Sequence, residues 1–322
     1  MLQQTQVATV ERYFPKFIAS FPTLYHLAAA PEQKVLRHWE GLGYYRRARQ
    51  LHAAAKQMVT EHRGQFPADL ETLRSLPGIG RYTAGAILSI AFDVPAPILE
   101  ANTVRLLSRL VAFRGDTSSR DGQQLLWGTA EELVPSSQSG QFNQALMELG
   151  SLICTPRDPQ CSRCPLIAVC VAYQNGLQKL IPAPRQKPTV EEVREAAVVI
   201  VRRGKILLRQ CAAGERWAGL WDFPRFSLPQ KNDRPAAAEK KIIDNVLRLV
   251  GLSIIKPRHL VTLRHSVTRF RITLDCFTAK CDPDPSAATA TGKTCWIKPA
   301  ELDDYPLSTT GRKLARLWQE RE

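Results

Sequence analysis

The chain has 322 residues, with 44 Lys and Arg against 30 Asp and Glu, a formal charge of +14. A composition 44% apolar and 23% charged excludes wholesale disorder, and the length points to about two domains. The longest mostly apolar run, 84–92, is far short of the roughly 20 residues that span a bilayer, and Met1-Leu2-Gln3-Gln4 lacks the basic flank and apolar stretch of an export signal, so a cytoplasmic protein without membrane contact is expected. The charge surplus is uneven: residues 1–180 hold 18 basic against 14 acidic residues, or +4, and 181–322 hold 26 against 16, or +10. It favours a polyanionic partner, with nucleic acid ahead of a membrane surface.

Up to about residue 150 the pattern is helical. Val10, Tyr13, Phe14, Phe17, Ile18 and Phe21 recur at three and four, as do Val104, Leu107, Leu110 and Val111, and breakers such as Gly41-Leu42-Gly43 separate the helices. In Leu76-Pro77-Gly78-Ile79-Gly80-Arg81-Tyr82-Thr83-Ala84-Gly85, two glycines mark a sharp turn and a close approach to a neighbour. A helix starting near Tyr82 would present N–H groups to an anion, although a tight helix–helix turn alone would also explain the glycines. Glu100 opens another helical segment, where the dipole favours a carboxylate whatever its role. Cys154, Cys161, Cys164 and Cys170 follow with six, two and five residues between them, a spacing that lets four thiolates converge on a metal centre. Zinc and iron–sulfur both accept such a set. Arg157 and Arg163 lie in the same loop, within reach of phosphates. The remaining cysteines, 211, 276, 281 and 295, are scattered and read as ordinary buried thiols. Residues 180–190 carry three prolines and no apolar period, which reads as an extended linker. Beyond it, Ala197–Val201 and Lys205–Leu208 flank a hairpin turn, 242–249 is a helix closed by Gly251, and 262–277 and 294–297 supply further strands. The second half is a small mixed α and β domain.

The cysteine spacing after a helical domain with a Leu-Pro-Gly-Ile-Gly turn resembles the endonuclease III superfamily of helix-hairpin-helix DNA glycosylases. The resemblance implies an all-α glycosylase domain over 1–175 with a structural 4Fe–4S cluster on the loop 154–170. It also implies phosphate binding by Gly78, Gly80 and Arg81. Strand-cutting members carry lysine where this chain has Tyr82, and a tyrosine cannot attack the sugar as an amine does. Tyr82, with Met1-Leu2-Gln3-Gln4-Thr5-Gln6-Val7 and Gly41–Arg49, is similar to the MutY-type adenine DNA glycosylases. By that likeness Gln3, Gln4, Tyr44 and Arg47 contact DNA, with Gln4 and Tyr44 as wedges that fill the stack when a base is flipped.

Cleaving a purine N-glycosidic bond needs an acid for the leaving base and a carboxylate for the oxocarbenium-like sugar. The resemblance assigns the second to Glu100, where the family has aspartate, with Asn102 orienting the acid or a water and Tyr82 in the same pocket. It places the general-acid glutamate just upstream of the segment matched by Met1–Gln4, so an upstream start is expected. Past a linker at 176–194, the segment Arg209–Pro224 resembles the entry to a Nudix-like α+β domain, 195–322. Arg248 and Leu249 stand where a Nudix pyrophosphatase needs paired glutamates, which rejects that activity. In the adenine glycosylases this domain reads 8-oxoguanine. His265, Thr268 and Arg269 correspond to its reading loop, with Val267 and Arg269 replacing the family's aromatic and histidine. The expected protein is a monomeric, monofunctional glycosylase that removes adenine opposite 8-oxoguanine or guanine in double-stranded DNA. The alternatives are a lesion-binding protein with impaired turnover and an endonuclease III-like pyrimidine glycosylase/lyase.

Overall fold

Helices form where the apolar period predicts them: α1 (Val7–Val10), α2 (Phe14–Ser20), α3 (Leu24–Ala29), α4 (Glu32–Trp39), α5 (Arg46–Glu61), α6 (Leu70–Ser75), α7 (Arg81–Phe92), α8 (Ala101–Leu110), α9 (Arg120–Leu133), α10 (Ser139–Glu148) and α11 (Val171–Gln174). The computed structural model describes residues 1–184, 189–229, 235–281 and 292–321. Two compact units result, one of Met1–His52 with Pro188–Glu322 and the other of Ala53–Lys187. The stripe expected over residues 10–21 is only half buried. Val10, Phe17 and Phe21 are inside, whereas Phe14 and Ile18 are 53% and 44% exposed. A turn between α1 and α2, with Pro15 in the first turn of α2, resets the helical phase and swings the two side chains out.

In the unit 53–187, α8 packs through Leu107 against Leu126 and Ala130 of α9, and through Leu106 against Leu146 and Cys154. Close approaches fix the segment before α8. A Cβ on Gly85 of α7 would sit 2.2 Å from the Pro97 carbonyl oxygen, so only glycine lets this segment lie against the helix. Asn143 of α10 is buried and donates to Ser89 Oγ and the Ala96 carbonyl, each at 2.9 Å. Ile181 departs from the linker reading: it is 2% exposed and its carbonyl accepts from Arg109 Nε at 2.8 Å. A buried guanidinium needs acceptors, and the chain leaving α11 supplies one.

In the other unit, β1 (Glu191–Arg202), β2 (Lys205–Gln210), β3 (Trp221–Asp222), β4 (Arg225–Leu228), β5 (Ile254–Val267), β6 (Phe270–Cys281) and β7 (Thr294–Ile297) form one sheet, with α12 (Pro235–Val250) and α13 (Thr309–Gln319) completing the fold. The order is β3-β2-β1-β6-β5, with β4 also on β1 and β7 also on β2. The β1–β2 connection is the expected hairpin, with Arg203 and Gly204 both at positive φ, as its right-handed twist requires. Strand β1 pairs parallel with β6 and is buried on both faces from 195 to 200, as central strands with parallel partners are. Its alternation divides the core. Ala197 and Val199 join Leu314, Ala315 and Trp318 of α13, while Val198 and Ile200 join Ile242, Val246 and Val250 of α12. The result is a sheet with a helix on each face. Among the described residues no helix is long and apolar enough to cross a membrane.

The Gly85 contact is tested by Gly85→Ala, which forces backbone apart in a packed site. A cost of about 1–3 kcal/mol, read as a lower thermal midpoint, is expected.

Candidate functional site

The 76–82 hairpin builds a donor-lined turn. Pro77 and Gly78 occupy the centre of the turn, Gly78 has φ +80°, and the Ile79 N–H donates to Leu76 O at 3.1 Å, the arrangement of a type II turn. Gly80 caps α7 from an extended conformation, and a Cβ there would meet nothing within 4 Å. The protein itself therefore does not demand this glycine, unlike Gly78. With no side chain in the way, the first N–H groups of the 12-residue α7 can receive an anion. Arg81 is engaged within the protein: it pairs with Glu131 and lies 4.0 Å from the Trp127 ring centroid.

Tyr82 is half-buried, and its hydroxyl donates to Met147 Sδ at 3.7 Å. Burial first, and the negative charge of Glu100 second, raise its phenol above the ordinary tyrosine range, so it stays protonated at neutral pH. Glu100 is the N-cap of α8. Its Oε1 accepts from Asn102 N at 2.8 Å and Thr103 N at 3.0 Å, and its own N–H donates to Thr103 Oγ1 at 2.8 Å. The cap and the proximity to Tyr82 coexist, because the helix start fixes one carboxylate oxygen and thereby the other. Asn102 turns its Oδ1 to Arg105 Nη2 at 3.0 Å, and Gly150 lies against its Cβ.

Helix α8 links that carboxylate to the cysteine loop through two buried arginines that the apolar period does not single out. Arg105 Nε donates to the Cys154 carbonyl at 2.7 Å. Arg109, 2% exposed, donates to Cys154 Sγ at 3.2 Å, Thr155 O at 2.8 Å and Pro156 O at 3.1 Å. Two cations four residues apart on the buried face of a helix are the signal that sequence reading missed. All four predicted cysteines line one cavity, walled otherwise by groups such as Leu106, Leu110, Leu166 and Ile167. Burial, and then neighbouring thiolates, push the Cys161 thiol up; burial also raises that of Cys164. A fully ionised quartet therefore requires positive charge at its centre, which a metal group supplies. Among the described residues no three His, Cys, Asp or Glu are gathered closely enough for a single ion; the four cysteines instead share the lining of one cavity. Four thiols are the donor set that an all-cysteine metal group takes.

At the N-terminus, Gln4 and Tyr44 both adopt positive φ, +56° and +49°. One side chain secures both. Arg47 donates to the carbonyls of Met1, at 2.9 Å, and Gln3, to Thr5 Oγ1 at 2.9 Å and to Gly43 O at 3.5 Å, and its guanidinium lies over the Tyr44 ring at 5.3 Å. Tyr44 is 53% exposed.

In the sheet, Thr268 and Arg269 form the two-residue turn of the β5–β6 hairpin, closed by the pair Val267 and Phe270. Thr268 Oγ1 donates to Val267 O at 2.7 Å, and Arg269 pairs with Glu191 at 3.2 Å on the surface. His265 lies deeper. Its ring packs beside Trp217, its Nε2 is 3.5 Å from Arg225 Nη2, and its Nδ1 is buried without a partner. Burial first and the Arg225 cation second push its pKa down to about 4. The scattered thiols Cys211 and Cys276 are pushed up to about 12, chiefly by burial, and are inert.

Comparison with known proteins matches these two architectures. The HhH-GPD superfamily of base excision DNA repair proteins matches residues 1–136, and the NUDIX domain matches residues 196–317. The adenine DNA glycosylase of Mus musculus is 34% identical, over 99% of this chain and 70% of its own length. That of Schizosaccharomyces pombe is 32% identical, over 97% of this chain and 77% of its own. Among solved structures, a thermostable thymine-DNA glycosylase superposes with TM-score 0.50 at 28% identity, over 54% of this chain and 80% of that one.

His265 generates a pH prediction. Free histidine titrates near 6.5, so between about 4 and 6.5 the unfolded chain binds a proton that the folded chain refuses. Stability contributed by this group is present above 6.5 and is lost as pH falls toward 4. Urea unfolding at pH 4.5 and 7 is expected to show a smaller acid loss in His265→Gln than in the wild type.

Proposed function

The chain belongs to the adenine DNA glycosylases, and on that premise we propose that it excises adenine mispaired with 8-oxoguanine or guanine in duplex DNA and leaves an abasic site. The observation that carries the reading is Tyr82 itself, with a phenol that burial and the Glu100 charge keep protonated. The position held by lysine in the strand-cutting glycosylases is a protonated phenol beside a carboxylate, which suits hydrolysis without an amine adduct. In this reading the α7 N-terminus and the bare Gly80 hold a backbone phosphate of the DNA. Gln4 and Tyr44, supported from behind by Arg47, enter the base stack where adenine is withdrawn. Glu100 then offers its uncapped oxygen to the positive charge that develops at C1′ as the C1′–N9 bond breaks and its electron pair leaves with adenine; water oxygen bonds to C1′ and gives up a proton, and the departing base takes one up from solvent. Asn102 fixes this carboxylate through its backbone N–H. The β5–β6 turn, with Thr268 and Arg269, faces the opposite base, and His265 supports it from below as a neutral ring.

We assign the thiols of Cys154, Cys161, Cys164 and Cys170 to a 4Fe–4S cluster. Such a group would supply a cross-link for the loop and a redox centre, and no reacting atom for hydrolysis. Arg109 would donate to the Cys154 thiolate that holds it.

Incubation with duplexes containing adenine opposite 8-oxoguanine or guanine is expected to give alkali-labile sites and no borohydride-trapped adduct. A trapped adduct would return the pyrimidine glycosylase/lyase reading, and mismatch retention without base release would leave the lesion-binding one. Glu100→Gln keeps the capping oxygen and removes the charge, so a fall in base release of about 100-fold or more at an unchanged thermal midpoint is expected. Purified protein is expected to be brown, with broad visible absorbance that Cys164→Ser abolishes; a colourless protein containing zinc would overturn the cluster assignment.

A further inference from the structure

Between the reading strand and the wedge turn runs a set of polar contacts that the reaction does not use. Within the unit 1–52 with 188–322, Glu40 ends α4 immediately before Gly41-Leu42-Gly43-Tyr44. Its carboxylate, on a side chain only 10% exposed, accepts from Arg312 Nε at 2.7 Å, Arg312 Nη2 at 3.0 Å, Leu307 N at 3.2 Å and Arg37 Nη1 at 3.3 Å. Arg312, on α13, places its remaining donors on Leu302 O, Asp303 Oδ1 and Tyr305 O. This is a bidentate, enclosed pair with every donor used, the geometry in which an ion pair specifies position.

The turn itself is tied on both sides. Tyr45 Oη accepts from Gly41 N at 3.1 Å and shares a hydrogen bond with Thr309, while Trp39 Nε1 donates to Gly43 O at 3.1 Å. Gly41 has φ +94°, and Tyr13 Oη would lie 2.4 Å from a Cβ there, so the turn has little room to shift. From its other end, the first turn of α13 reaches the sheet. Ser308 Oγ donates to Asp222 Oδ2 at 2.7 Å, and Arg225 Nη1 donates to Thr310 Oγ1 at 3.0 Å. The same Arg225 stands 3.5 Å from His265 on the strand that leads into the Thr268–Arg269 turn.

We propose that the first turn of α13, through the Arg312–Glu40 pair, is a positioning element that couples the β5–β6 reading strand to the turn carrying Tyr44, so that the base opposite adenine biases wedge insertion. The proposal rests on the function given above for those two elements. Neither Arg312 nor Glu40 touches DNA in it. A spatial chain of contacts is not by itself coupling, and the test must read coupling directly.

Two measurements on the full chain separate the proposal from its premise. The first is amide hydrogen exchange in DNA-free protein. Arg312→Met and Glu40→Gln are each expected to speed exchange in residues 41–47 by about tenfold while leaving residues 81–92 unchanged. The second is the ratio of dissociation constants for duplexes holding adenine opposite 8-oxoguanine and opposite thymine. The ratio is expected to fall by about tenfold in either variant, and the double variant is expected to be no worse than the singles. A merely structural role would weaken both duplexes together and leave the ratio intact. Unchanged exchange at 41–47, or an intact ratio, overturns the coupling. A wild-type protein that does not prefer the 8-oxoguanine duplex overturns the function instead, and the exchange result then still decides whether the pair holds the turn. If Arg312→Met does not fold, Glu40→Gln, which keeps shape and loses only charge, carries the same two readouts.

Discussion

The buried guanidinium of Arg109 is the interaction on which the helical unit depends. A cation 2% exposed must satisfy all its donors, and Arg109 does so with carbonyls of Thr155, Pro156 and Ile181 and the sulfur of Cys154. Those acceptors lie in two separate stretches of chain, so one side chain holds the cysteine loop and the chain that leaves α11 against α8. Arg105 repeats the contact one turn earlier. Because α8 begins at Glu100, the helix that anchors the metal-type loop also sets the carboxylate. The cysteine loop and the Glu100 carboxylate therefore share one rigid support.

Conformational cost is spread over several turns, and three of the proposed DNA-facing residues carry part of it. Gln4, Tyr44 and Thr268 all adopt positive φ without being glycine, which costs of order 1 kcal/mol or more each. Surrounding contacts hold each of them there: Arg47 secures the first two, and the closed β5–β6 hairpin secures the third.

The charge distribution acquires a structural meaning from the same contacts. Arg47, Arg81, Arg109, Arg225 and Arg312 are engaged by groups of the protein. Of these, Arg47 and Arg81 are the two expected on DNA, and both have partners within the protein. The net surplus itself lies mostly after residue 180, +10 against +4 before it, where a general attraction to a polyanion would be strongest.

The sequence by itself determined the helical first half, the hairpin at 202–205, the Pro-Gly turn before α7 and the cysteine quartet, because each is a local signal: a period, a positive-φ residue, a fixed spacing. It did not reveal α13 or the short strands β3 and β4. Its likeness to the adenine glycosylases also singled out Tyr82 and Glu100 as candidates, and the family itself is shown by the whole-chain match. Only the tertiary structure decided what the charged residues do. Nothing local distinguishes Arg109, which binds the cysteine loop, from Arg114, or pairs Glu40 with Arg312 across 272 positions. It also decided that Phe14 and Ile18 face outward although the period places them in a core stripe, and that Glu100 caps α8 through the N–H groups of Asn102 and Thr103. A hydrophobic period reports whether a side chain leaves water. Which partner satisfies a buried charge depends on segments brought together from far apart in the chain, and that information resides in the fold.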